Sequence, residues 1–160
     1  MLNYKVDFNR ICDVIPNWKW SELMFGIEKS IISFKDAISY AKLILSDELE
    51  QFDLVLELSI SEENEGKQIL DELCKTEIKE DIYLIKNKWM FAIIYDAYLN
   101  DKFRIFDVIE DVYAEFEYSE IISNLVRYMP CEDHRSMEEK LIEYLNENII
   151  FFGINKSDQV

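Results

Sequence analysis

Apolar residues recur along this chain mainly at spacings of three and four, the period of a helix face rather than of a half-buried strand. Trp20, Leu23, Met24 and Ile27 sit at i, i+3, i+4 and i+7, with Gly26 weakening the end of that segment. Ser33 before Phe34, with Asp36 three residues on, reads as an N-cap opening a helix to about Leu45. Phe34, Ile38, Ala41 and Leu45 form its predicted stripe. Ser46-Asp47-Glu48 reads as the next helix start, because a capping oxygen and early acids suit the positive helix end. Phe52 to Leu58 fits either a helix or a short alternating strand, and helix is favoured because no partner strand is evident. Ser61 to Gly66 is a loop or helix start before Ile69, Leu70 and Leu73.

The segment from Asp81 to about Leu99 is apolar on every side, as a buried helix must be. Asn100-Asp101-Lys102 breaks it. Ile105, Val108, Ile109, Val112 and Phe116 define one more helix face, and Ser119 begins a shorter helix through Ile122, Leu125 and Val126 that ends near Pro130. Cys131 to Ser136 is a polar loop, and Met137, Leu141, Ile142 and Leu145 mark the last helix. Ile149-Ile150-Phe151-Phe152 is expected to dock as a short extended tail. The prediction is an all-α, single-domain multi-helix bundle over residues 1–154, with residues 155–160 frayed.

Composition sharpens this without changing it. At 160 residues the chain can bury roughly 70% of its unfolded surface, enough for a core without metals or disulfides. Gly (3) and Pro (2) are too scarce for the many turns of an all-β fold. The odd, unpaired cysteines Cys12, Cys74 and Cys131 fit a reduced compartment. No secretory signal opens the sequence, and the apolar run Trp89 to Tyr95 falls far short of the ~20 residues that cross a bilayer. A cytoplasmic protein is expected.

Charge is more informative. The chain carries a net −16, placed unevenly. Residues 46–81 hold thirteen acids against three bases. The stretch from Ile105 to Val126 holds six acids (Asp107, Glu110, Asp111, Glu115, Glu117 and Glu120) and no base. Such surfaces attract a basic partner and repel nucleic acid and anionic membrane.

Signatures of catalysis are missing. Three glycines cannot build a phosphate loop, and zinc-protease, calcium-loop and nucleophile-elbow motifs are absent. His134 lies three residues from Cys131, a spacing that in a polar loop rarely gives a nucleophile its base. With one histidine in the chain, zinc is not expected. Glu110 and Glu117 would share one helix face, with Asp111 about 100° away, so an oxygen-ligand metal site needs acids from another element. No catalytic residue, metal or cofactor is assigned.

The aromatics set among those acids carry the functional inference. Tyr113, Phe116 and Tyr118 lie between Glu110, Asp111, Glu115, Glu117 and Glu120. Tyrosines supply interface area at low entropy cost, and carboxylates around them steer a basic partner. Against this, Tyr113 and Phe116 could fill the core while the acids only keep the outer face wet. The candidate partner-binding set is Glu110, Asp111, Tyr113, Glu115, Glu117, Tyr118 and Glu120. Trp20 belongs to a core stripe, and Trp18 is left open.

The stretch Glu110-Asp111-Val112-Tyr113-Ala114-Glu115-Phe116-Glu117-Tyr118, with Val126-Arg127-Tyr128-Met129-Pro130, resembles a family of small uncharacterised bacterial proteins. Its pattern is an acidic Y-A-D-F-D-Y-P followed by Y-M-P. Trp20, Gly26 and Ser33-Phe34-Lys35-Asp36 fit the same family's opening, so the resemblance spans most of the chain. Glu115 and Glu117 replace aspartates and Ser119 replaces proline, which keeps charge and alters reach. The resemblance brings no enzyme activity. It implies similarity to immunity proteins of polymorphic toxin systems of the contact-dependent inhibition type.

Three functions fit these features. The first is an acidic cytoplasmic immunity protein that neutralises a cognate toxin, expected to be a basic nuclease domain. The second is a carboxylate-based metal-dependent enzyme. The third is an acidic scaffold or regulatory protein with no toxin partner.

Overall fold

The computed structural model describes residues 2–155, and every regular element among them is helical, as the periodicity predicts. Residues 7–85 form one compact unit, and residues 2–6 with 86–155 form another.

In the first unit, α1 (Phe8–Val14), α2 (Trp20–Glu28), α3 (Phe34–Ile44), α4 (Phe52–Ile60) and α5 (Glu63–Thr76) follow in order. Helix α1 went unpredicted because seven residues give too little periodicity. It is opened by Asp7, whose carboxylate accepts the Arg10 N–H at 3.2 Å. Helix α5 packs against α2, α3 and α4. Its Gly66 lies so close to α3 that a Cβ there would stand 2.6 Å from the Phe34 ring.

Trp18 and Trp20 are both buried, in an aromatic cluster with Phe8 and Tyr40. The Tyr40 hydroxyl accepts the Trp18 N–H at 2.9 Å and donates to the Trp18 carbonyl at 3.0 Å. Burial holds this phenol above its ordinary pKa.

Several local expectations need correction. Residues 45–51 form no helix start at Ser46, and α4 begins only at Phe52. The helical alternative for Phe52–Leu58 is the one adopted. Ser33 does open α3, with its hydroxyl and N–H both donating to Asp36 at 2.9 and 2.7 Å. The buried face of α3 is Phe34, Ala37, Tyr40 and Ala41, not a stripe through Ile38 and Leu45. Tyr40 turns the helix toward the aromatic cluster, since its ring carries more apolar area than Ile38.

The second unit holds most of α6 (Ile82–Asn100), then a 3-10 turn (Lys102–Arg104), α7 (Ile105–Glu115), a 3-10 segment (Glu120–Leu125) and α8 (Met137–Phe151). Ten successive residues of α6, Lys88 to Ala97, are buried, as its all-round apolar sequence predicts, but Ile82, Tyr83, Leu84 and Leu99 at its ends are exposed. Asp96 is 1% exposed and accepts the Tyr4 hydroxyl at 2.7 Å and the Asn100 amide at 3.1 Å. The Tyr4 bond fastens the N-terminal residues to α6.

The predicted face of α7 is buried throughout. The helix expected after Ser119 is a 3-10 segment with Ile122, Leu125 and Val126 buried. Ile149 to Phe151 are not an extended tail: they form the last turn of α8. Phe152 caps that turn by stacking on Phe91 at 5.5 Å, and Phe91 stacks on Tyr95 at 5.3 Å. In α8 the buried apolar face is Leu141, Tyr144, Leu145 and Ile149, with Ile142 turned outward. Of the predicted frayed tail, residues 156–160 lie outside the described residues.

Candidate partner-binding site

Helix α7 ends one residue before Phe116, and the way it ends builds the candidate surface. Phe116 is buried, so the chain must turn sharply to leave the helix while its ring stays inside. Glu117 and Tyr118 achieve this with successive left-handed backbones, φ 59° and 60°. The Tyr118 N–H returns to the Tyr113 carbonyl at 2.8 Å and closes the helix. Side chains bearing a Cβ adopt this conformation at a cost of about 1 kcal/mol each, and glycine is the usual occupant. Neither residue here is glycine.

The turn throws Tyr118 outward, 64% exposed, with its ring edge-on to the buried Tyr113 at 5.3 Å. Tyr113 in turn directs its hydroxyl toward the Met129 sulfur at 3.8 Å. Tyr128, beside Met129, is 63% exposed. Its phenol is held above the ordinary value, first by partial desolvation and then by the Glu110 carboxylate and by Tyr113 and Tyr118. The acidic tyrosine stretch and the later Tyr-Met-Pro stretch therefore meet at one surface.

Arg127 joins them. Its Nε and Nη2 donate to the two oxygens of Glu110 at 2.8 and 3.0 Å, and Nη2 also reaches Asp107 at 2.6 Å. Glu117 accepts from Lys86 at 2.8 Å. Asp107, Glu110 and Glu117 are thus each engaged by a base from outside the stretch. Glu110 and Glu117 do not share a helix face, as α7 ends between them at Glu115. Asp111 and Glu115 are half-buried, and Glu120 is exposed at the start of the 3-10 segment.

The larger acidic block of the other unit is differently used. The Glu77 carboxylate accepts the Trp20 and Ser21 N–H groups at 2.7 and 2.8 Å, supplying the N-terminus of α2 with its missing partners. Glu80 pairs with Lys19 at 3.0 Å. Glu57, Glu65 and Glu72 line an open polar groove of about 420 Å³ beside α4 and α5. No tyrosine stands there.

Among the described residues no three His, Cys, Asp or Glu side chains are arranged to hold a metal ion, and no helix is long and apolar enough to cross a membrane. Cys131 and His134 are both exposed in the loop before α8. The Cys74 thiol is pushed up to about 12, by burial first and then by Glu77, Asp71 and Glu28, which keeps it from acting as a nucleophile.

Residues 11–149 match a family described as an uncharacterized protein conserved in bacteria (DUF2247). The chain belongs to this family. No curated protein and no solved structure matches it. In this DUF2247 chain the predicted site residues split into four groups, one of them the half-buried Asp111 and Glu115. Tyr118 and Glu120 are exposed, Tyr113 is buried against Tyr118, and Glu110 and Glu117 are tied to cations. Arg127 and Tyr128 were missed as members of the surface. Their sequence signal is the Val126–Pro130 stretch, which carries no acid and so adds nothing to the acidic pattern.

Proposed function

We propose that this chain is an acidic cytoplasmic immunity protein that binds and neutralises a cognate toxin, a basic nuclease domain, through the Tyr118–Tyr128 surface. The observation that carries the reading is a pair of exposed tyrosines among acids, Tyr118 on a strained turn and Tyr128 on the segment that Arg127 ties to α7. Backbone strain persists where surrounding structure enforces it, and it clusters at binding and switch sites. The two exposed tyrosines supply anchors, while carboxylates such as Glu120 raise the encounter rate of a cationic partner. The excess of acids from Ile105 to Val126 also suits a cleft built for phosphates, which such an inhibitor would cover.

The test starts from the gene neighbourhood, where a large secreted protein with a variable C-terminal domain should directly precede this gene. That C-terminal domain, expressed with the chain, should co-purify with it and lose its nuclease activity. Association should slow markedly as salt rises about ten-fold, and Tyr118→Ala with Tyr128→Ala should abolish inhibition. Salt-independent association would remove the steering role. Stoichiometric tight binding of magnesium or manganese in a calorimetric titration would favour a metal-dependent enzyme instead.

A further inference from the structure

At the opposite end of α7 from the tyrosines, an apolar pocket of about 330 Å³ opens between the end of α6, the start of α7 and the first turns of α8. Its floor is Ile105 and Leu141, both buried, and its walls are Tyr98, Phe106 and Ile142. At its lip stands Phe103 on the 3-10 turn, with its side chain 100% exposed. A fully exposed phenylalanine beside an apolar pocket is a self-complementary patch. A two-fold axis through such a patch places each ring in the other copy's pocket. Space suffices, since a cavity of about 150 Å³ already accommodates an aromatic ring.

Charge at the rim has the same symmetry. Lys102 and Glu138 both line the pocket, and neither forms an ion pair with the other. Lys102 is steadied 4.7 Å from the centre of the Tyr98 ring and 3.3 Å from its hydroxyl. A two-fold exchange brings each Lys102 toward the partner copy's Glu138. In a chain of net −16, a rim carrying one base and one acid is where two copies can approach without repulsion.

We infer that the occupant of this pocket is Phe103 of a second copy, so that the chain self-associates as a two-fold dimer with Lys102 and Glu138 paired across the axis. The inference is independent of the toxin reading. The tyrosine surface lies at the far end of α7, about 15 Å away by helix rise, and either can fail without the other.

Sedimentation equilibrium of the full chain at about 0.15 M salt decides it. The wild type should move from monomer to dimer as concentration rises through roughly tens of micromolar, as a small interface requires. Phe103→Ser should weaken the dimer on the order of a hundred-fold, because both copies lose the anchor. Lys102→Glu or Glu138→Lys alone should also weaken it, and the two together should restore it. All three positions are at the surface, so the variants keep their fold. The inference is overturned by a wild type that stays monomeric at high concentration, by a Phe103→Ser dimer of unchanged strength, or by a double reversal that fails to restore association. A monomer would leave the pocket to a different molecule.

Discussion

Arg127 grips Glu110 through two nearly parallel hydrogen bonds, of 2.8 and 3.0 Å, across seventeen residues of sequence. The guanidinium fork matches a carboxylate edge, so the contact fixes orientation as well as distance. It pins the segment carrying Tyr128 and Met129 to α7, and with it the relative placement of the exposed tyrosines. The pair is solvent-exposed, so it orders the surface more than it stabilises the fold. Arg127→Gln should leave the unfolding midpoint close to wild type while amide hydrogen exchange accelerates at residues 127–129. Unchanged exchange there would show that Tyr113 and Met129 alone hold the segment.

Glu117 offers a separation of stability from binding. Glu117→Gly removes the penalty of a left-handed residue with a Cβ, about 1 kcal/mol, and gives up an exposed ion pair to Lys86 worth less than that. A net gain of about 0.5 kcal/mol in urea unfolding is expected. If Tyr118 must be held rigidly, the same variant should bind its partner more weakly although it is more stable.

Gly66 has no room for a methyl group, since the Phe34 ring and the Ser61 hydroxyl occupy the space its Cβ would need. Gly66→Ala should cost about 1–3 kcal/mol by overpacking. In a Phe34→Leu background the cost should shrink, because the obstructing ring is gone. Equal costs in both backgrounds, measured by denaturant unfolding, would place the strain elsewhere.

Acid pH should act on the loop before α8. Arg135 holds the Asp133 carboxyl down to about 2 through side-chain hydrogen bonds, the shortest 2.7 Å, and also contacts Glu143 at 2.7 Å. A carboxyl depressed in the folded state contributes stability above its unfolded value near 3.8, and loses it as pH falls toward about 2. A carbon-detected NMR titration should find Asp133 ionised at pH 3, and Arg135→Gln should return it to the ordinary range.

The chain is expected to unfold as one domain although its contacts divide into two units. Trp18 and Trp20 report on one unit and Trp89 on the other. Urea transitions followed by fluorescence in Trp89→Phe should therefore match those in Trp18→Phe with Trp20→Phe, after correction for each variant's stability. Two separated midpoints would mean independently folding units.

Helical class was legible in the sequence, because burying one stripe per helix forces a period near 3.6 that short stretches already display. The α7 face and the buried α6 were legible for the same reason. The short α1 was not, nor was the helical end of α8, where four adjacent apolar residues carry no periodicity. Sequence also located the acidic tyrosine stretch, since composition alone concentrates charge there. What it could not supply was the fate of each charge. Arg127 reaches Glu110 and Asp107 only after the chain has turned at Glu117 and Tyr118. Glu77 serves the N-terminus of α2 only because α5 delivers it there. Coulomb and hydrogen-bond energies depend on distances of a few ångströms, which packing sets and residue order does not. Tertiary structure therefore decided which acids are bound internally and which tyrosines remain exposed.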